Sequence, residues 1–181
     1  MAKSVLLADP IFREHLAGTD QPERPERFDA VMEGLRSAGL LERLGRVESR
    51  PATEDELALC HTREYLRTAK RDVEAGHPYL STGDTDITPN SWDVASRAAG
   101  GVLNAVDAVL TGAARNAFCA VRPPGHHATR SRGMGFRHLD QAARRLSACD
   151  FDRLIVEYSG QRIVQVVVDG LRPLRYLLKC L

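Results

Sequence analysis

Hydrophobic and polar positions along this chain follow two different periods. Nearly continuous apolar runs stand at Ser4–Ala8 and Ala117–Val121, each closed by turn formers, and they read as short buried strands. Between them apolar residues recur every three or four positions, the signature of helices with one inward face. Phe28, Val31, Met32, Leu35 and Ala38 make the first such stripe, with Pro25 in the opening turn and Gly39 as the stop. Val47–Arg50 reads as a weak strand. Thr53 and Glu56 form a capping box at the head of a second helix, and a third runs from about Thr62 to Glu74. His61 and Tyr65 are four residues apart and share a face, so His61 reads as a packing and hydrogen-bonding residue.

The longest stripe is Val94, Ala98, Val102, Val106 and Val109, with Ser91 as the expected cap, Asp93 in the first turn and Gly112 at the end. Its small residues, Ala98 to Gly101, permit close packing against the sheet or a neighbouring helix. Strand, helix and strand in alternation predict an α/β fold, a parallel sheet covered by helices. Two further apolar runs, Leu154–Glu157 and Ile163–Val168, are strand candidates, and the second is expected to pair beside Ala117–Val121.

Composition narrows the class. A chain of 181 residues, 43% hydrophobic and 27% charged, predicts one globular domain with a real core. A net charge of +1 gives no electrostatic case for nucleic acid or membrane as partner. The apolar runs are far shorter than a membrane span, and the first eight residues are too few for a signal peptide, so a cytoplasmic location is expected. Cys60, Cys119, Cys149 and Cys180 are widely spaced with no C-x-x-C pair, which reads as isolated reduced thiols.

The candidate chemistry lies just past Ala117–Val121, in the string R-P-P-G-H-H-A. Pro123, Pro124 and Gly125 stop the strand, and His126 and His127 follow at once, where parallel α/β sheets place their ligands. Adjacent histidines alone are more often satisfied structural residues than catalysts. Asp84 and Asp86, in the polar loop before the long helix, lack the spacing of a calcium loop and read as acids that accept backbone N–H bonds. By themselves the charges of Gln21–Arg27 read as the solvated start of a helix.

The full string R-P-P-G-H-H-A is more specific than its histidines. It resembles the tandem-histidine signature of the histone deacetylase family, which includes acetoin-utilisation and acetylpolyamine amidohydrolase proteins. Pro-Glu-Arg-Pro-Glu-Arg27 and Leu-Ala-Leu-Cys-His-Thr-Arg-Glu-Tyr-Leu are also similar to family elements, with Gln21 standing where histidine is common. The resemblance implies a three-layer, arginase/deacetylase-like sheet and a zinc-dependent removal of acetyl groups from acyl-lysine or acetylpolyamine. By it His127 is the general base on a zinc-bound water, and His126 steadies the oxyanion and protonates the leaving amine. Gly135 and Phe136 become a channel wall that grips the substrate's aliphatic arm. Arg27 lines an internal channel, and Asp84, with Asp86 as rival, holds the substrate at the rim.

The resemblance stops after Phe136, which divides the expected domain into a deacetylase-like part, residues 1–136, and a divergent tail, residues 137–181. The family's Asp-X-His zinc motif has no counterpart there. If Leu154–Glu157 is the corresponding strand, the ligand positions fall on Ser159 and Gln161; if it is Ile163–Val168, only Asp169 is a carboxylate. Zinc is therefore expected for the family while its ligands are not identifiable in this chain. His138 and Asp169 fit no known ligand spacing. The expectation is a truncated or rearranged deacetylase, with an inactive remnant, a weak acyl-amine binder or a structural module as the alternatives.

Overall fold

The computed structural model describes residues 3–125, 128–133, 155–159 and 163–167. Five strands form one sheet in the order β2-β1-β3-β5-β4. β1 (Lys3–Leu7) lies centrally, parallel to β2 (Gly45–Val47) on one side and to β3 (Ala114–Cys119) on the other. Val5 pairs with both Gly45 and Ala117. The far side is antiparallel. β5 (Ile163–Val167) sets Val166 against Ala117 and Val164 against Cys119, and β4 (Ile155–Ser159) pairs with β5 as the edge.

The pairing expected between the Ile163 run and the strand before the histidines is thus present, with the two strands running in opposite directions. Other boundaries moved. β2 ends at Val47 instead of starting there, because the chain beyond it leaves the sheet towards the Pro51 turn. β3 begins at Ala114, three residues before the apolar run. Arg115 is exposed and Asn116 half-buried, so the strand's first half alternates where its second half is continuously apolar.

Among the described residues there are four α-helices, of which α4 lies on the sheet and α3 packs against α4. α1 (Glu26–Ser37) starts at its N-cap Pro25 and packs Val31, Met32 and Leu35 on the core. Gly39 stops it with φ +65°. α2 (Glu54–Ala58) carries the reciprocal Thr53–Glu56 capping box, and α3 (Arg63–Glu74) is capped by Thr62. α4 (Ser91–Leu110) buries its whole expected stripe. Its two glycines explain why it lies so close: a Cβ at Gly101 would stand 2.8 Å from Leu7 Cδ2, and one at Gly100 only 2.1 Å from the Arg50 carbonyl oxygen. The N-cap is Asn90, not Ser91. Ser91 is the first helical residue, and its hydroxyl accepts the Thr88 N–H at 2.8 Å instead.

Candidate functional site

Beyond β3 the chain keeps contact with β1 for one more residue, through Ala120 N–H to Leu7 O at 2.9 Å. It then enters Val121–Gly125, every residue of which is buried. This loop stands at the carboxyl ends of β1 and β3, beside the short 3-10 helix Pro10–Arg13 that follows β1. Parallel sheets leave their crevice at this place.

Arg122 fixes the loop. The residue is 4% exposed, and its guanidinium makes a two-nitrogen contact with the Glu23 carboxylate, Nη2 to Oε2 at 2.6 Å and Nε to Oε1 at 2.9 Å. The remaining donors reach Phe12 O at 2.7 Å and His15 O at 3.0 Å. A single side chain thereby ties the loop after β3 to the loop after β1 and to the start of α1. Glu23 corrects the reading of Gln21–Arg27 as a solvated stretch. It is 1% exposed, while its neighbours Pro22 and Arg24 on either side face water, since the irregular backbone before Pro25 turns one acid inward. Arg27 is half-buried in the first turn of α1.

His15 is fully buried with Nδ1 2.9 Å from Ser91 Oγ, which joins the same loop to the head of α4. The sequence carries no signal for this contact, since His15 and Ser91 are 76 residues apart and a serine at the head of a helix reads as its cap.

The histidine pair is bracketed by described residues. Ala128 N–H donates to Gly125 O at 3.0 Å, so the two residues that flank His126 and His127 are bonded to one another. His126, His127, Gly135 and Phe136 themselves lie outside the described residues. Past the pair, His61 Nδ1 stands 2.9 Å from Thr129 O, and Thr62 N–H donates to Arg130 O at 2.8 Å. His61 therefore has the packing and bonding role expected of it. Its ring also sits 5.2 Å from that of Tyr65, whose hydroxyl pKa is raised by burial.

Asp84 is exposed and Asp86 half-buried. The loop that carries them is closed by Leu80 N–H to Thr85 O at 2.9 Å and anchored by Asp72, which accepts from Ser81 N–H at 2.8 Å. It lies flush on the segment past the histidines: a Cβ on Gly83 would fall 2.2 Å from Gly133 O, and one on Gly133 2.8 Å from Leu80 Cδ1. The structure thus brings the Asp84 loop to the segment that leaves the pair. Arg27 stands on a different element.

Among the described residues, no three His, Cys, Asp or Glu side chains converge on a point that would hold a metal. Two buried hydroxyls, Thr82 Oγ1 and Thr85 Oγ1, have no hydrogen-bond partner among them. They are neutral alcohols and do not fit zinc, which takes imidazole, thiolate or carboxylate. Ser159, which ends β4, is no better a donor. Cys119 is a free thiol that burial pushes up to about 12, so it stays protonated.

Fold and loop together define an α/β protein with a histidine-bearing loop at the carboxyl ends of its parallel strands. The chain belongs to the histone deacetylase family, whose domain model matches residues 21–156. Human "Polyamine deacetylase HDAC10" is 39% identical over 139 residues, 70% of this chain and 21% of that protein. "Probable deacetylase" of Archaeoglobus fulgidus is 36% identical over 134 residues, 73% of this chain and 37% of its own length. "Histone deacetylase-like amidohydrolase" of Pseudomonas aeruginosa is 37% identical over 120 residues, 66% of this chain and 31% of its own. The crystal structure of the HDA15 HD domain superposes with a TM-score of 0.71 at 29% identity, over 78% of this chain and 41% of that one. It has the arginase/deacetylase fold expected from the sequence. The chain spans less than two-fifths of the length of each of these curated relatives.

No helix among the described residues is long and apolar enough to cross a membrane.

Proposed function

We propose that this chain carries the amide-binding part of a histone-deacetylase-type site, shaped for a linear acyl amine such as acetyl-lysine or an acetylpolyamine, and that it binds without turnover. The observation that carries the reading is the buried Arg122–Glu23 contact, which holds the loop before His126 and His127 at the carboxyl ends of β1 and β3. A structural module would need no rigid platform beneath the segment that leads into two adjacent histidines. The names of the relatives supply the substrate class. In this reading Asp84 accepts hydrogen bonds from the substrate at the rim, Gly135 and Phe136 grip its aliphatic arm, and Arg27 belongs to an internal channel. His126 and His127 supply the polar contacts to the amide. Zinc would supply the hydrolytic chemistry of the family, and the tail's Ser159, Gln161 and Asp169 do not reproduce a ligand set for it.

Calorimetry of the full chain with an acetyl-lysine peptide, beside metal analysis of the same sample, tests this. Weak binding that drops on Asp84→Ala is the expected result. No heat at high peptide concentration overturns it in favour of a structural module. Stoichiometric zinc after dialysis, with peptide turnover abolished by His127→Ala, replaces it with a hydrolase.

A further inference from the structure

The segment that leaves the histidine pair is a fixed platform. Thr62 N–H holds Arg130 O, His61 Nδ1 meets Thr129 O, and Thr129 N–H donates to Arg132 O at 2.8 Å. Gly133 is buried against Leu80, Thr85 and Tyr65, with no space for a Cβ. On this backbone the side chains of Arg130 and Arg132 are exposed. Arg132 Cγ lies 3.6 Å from the point where a Gly83 Cβ would stand. Its aliphatic stem therefore crosses Gly83, the residue before Asp84. Arg132 thus packs its stem on the residue beside Asp84, from a distant part of the chain.

We propose that Arg132 is a specificity-determining residue of this rim, offsetting Asp84 so that the site disfavours polycationic acyl amines relative to acyl-lysine in a neutral peptide. The inference rests on the acyl-amine reading above and names the substrate class within it. An acetylpolyamine carries its remaining ammonium groups on the same short chain as its amide. With the ligand held at Asp84, those charges lie beside it and meet the Arg132 cation as well as the Asp84 anion. A neutral-flanked acetyl-lysine peptide brings no such charge. Repulsion between exposed charges at this range is modest and sensitive to salt. It changes affinity by a few-fold, which is enough to set a preference between ligands and too little to stop either from binding.

The test compares the full chain with its Arg132→Gln variant, each titrated with N-acetylspermidine and with a neutral-flanked acetyl-lysine peptide. At low salt the variant is expected to shift the ratio of the two affinities about threefold towards the polyamine. At 1 M salt, where the screening length falls to about 3 Å, the shift should vanish. An unchanged ratio, with the peptide still bound, overturns the role of Arg132 and leaves the acyl-amine reading standing. A common loss for both ligands also overturns it, by making Arg132 a prop of the loop. If neither ligand binds either protein, the acyl-amine reading fails and this inference falls with it.

Discussion

Arg122 and Glu23 form a buried ion pair that joins the loop after β3 to the start of α1, with Nη2 and Oε2 2.6 Å apart and the side chains 5% and 1% exposed. The pair is kept from water on all sides, and the spare guanidinium donors are used on Phe12 O and His15 O. Removing one partner leaves the other charged and dry. Glu23→Ala or Arg122→Ala should therefore each destabilise the protein by about 3–5 kcal/mol. Arg122→Lys should rescue little, since an ammonium cannot make the fork. Urea denaturation of both singles and the double measures this. A double variant that costs as much as the sum of the singles would show that the two side chains are not coupled.

The glycines of the helices should respond in opposite directions to one substitution. At Gly100 a Cβ would stand 2.1 Å from Arg50 O and 2.7 Å from Ala52 N, the same N–H that donates to Ser96 O at 2.9 Å. Gly100→Ala has to push α4 off the 50–52 segment, at about 1–3 kcal/mol. Gly34, inside α1, has nothing within 4 Å of its Cβ position. Gly34→Ala should stabilise by about 0.5–1 kcal/mol through helix propensity alone. Thermal melts that moved both variants the same way would contradict this packing.

These cases mark what the sequence could and could not disclose. Local rules were legible. The Thr53–Glu56 capping box, the Thr62 start of α3 and the α4 stripe depend on neighbours within a turn or two, and all three stand as read. Contacts across the chain were not. Glu23 looked like any acid in an alternating charged run, because its partner is 99 residues away. Ser91 had the chemistry of a cap, and only the fold could offer it the buried His15 ring. The close approach of Gly83 to Gly133 is invisible in a string where both are loop glycines. For the site, the string R-P-P-G-H-H-A marks the loop after β3, while nothing in it signals the distant acid that Arg122 grips to fix that loop.

Glu56 should leave a pH signature. Hydrogen bonding to Arg50, at 2.7 and 2.8 Å, and to the Thr53 backbone holds its carboxyl at about 2, below the ordinary 4.5. A depressed folded-state value stabilises the fold above the unfolded pKa, and that contribution is lost as pH falls through the folded one. The benefit is thus complete above about 4.5 and gone below about 2. Arg50 is 35% exposed, so solvent screens the pair and about 1 kcal/mol is expected. Denaturation of the wild type and Glu56→Gln should differ by that amount at pH 7 and converge at pH 2. A difference that persists at pH 2 would mean that the charge is not the source.

The tail should serve the sheet. β3 is bonded to β1 on one side and to β5 on the other, where Asn116–Cys119 oppose Val167–Val164. β5 is itself central, with β4 beyond it. In an antiparallel strand with two neighbours, successive N–H groups point alternately to one side and the other, so each of them is bonded. Proline at Val166, opposite Ala117, removes one such donor and leaves a carbonyl in the neighbouring strand without its partner, at about 1–3 kcal/mol. Deleting residues 160–181 is the larger change. It exposes the row of β3 backbone groups beside Ala117 and Cys119, whose side chains are 1% and 0% exposed, and an unpaired apolar edge is a template for association. The deletion variant should be insoluble, and Val166→Pro should melt earlier with the same cooperativity. A deletion variant that stays soluble and melts at the wild-type temperature would show that β5 contributes nothing to the sheet.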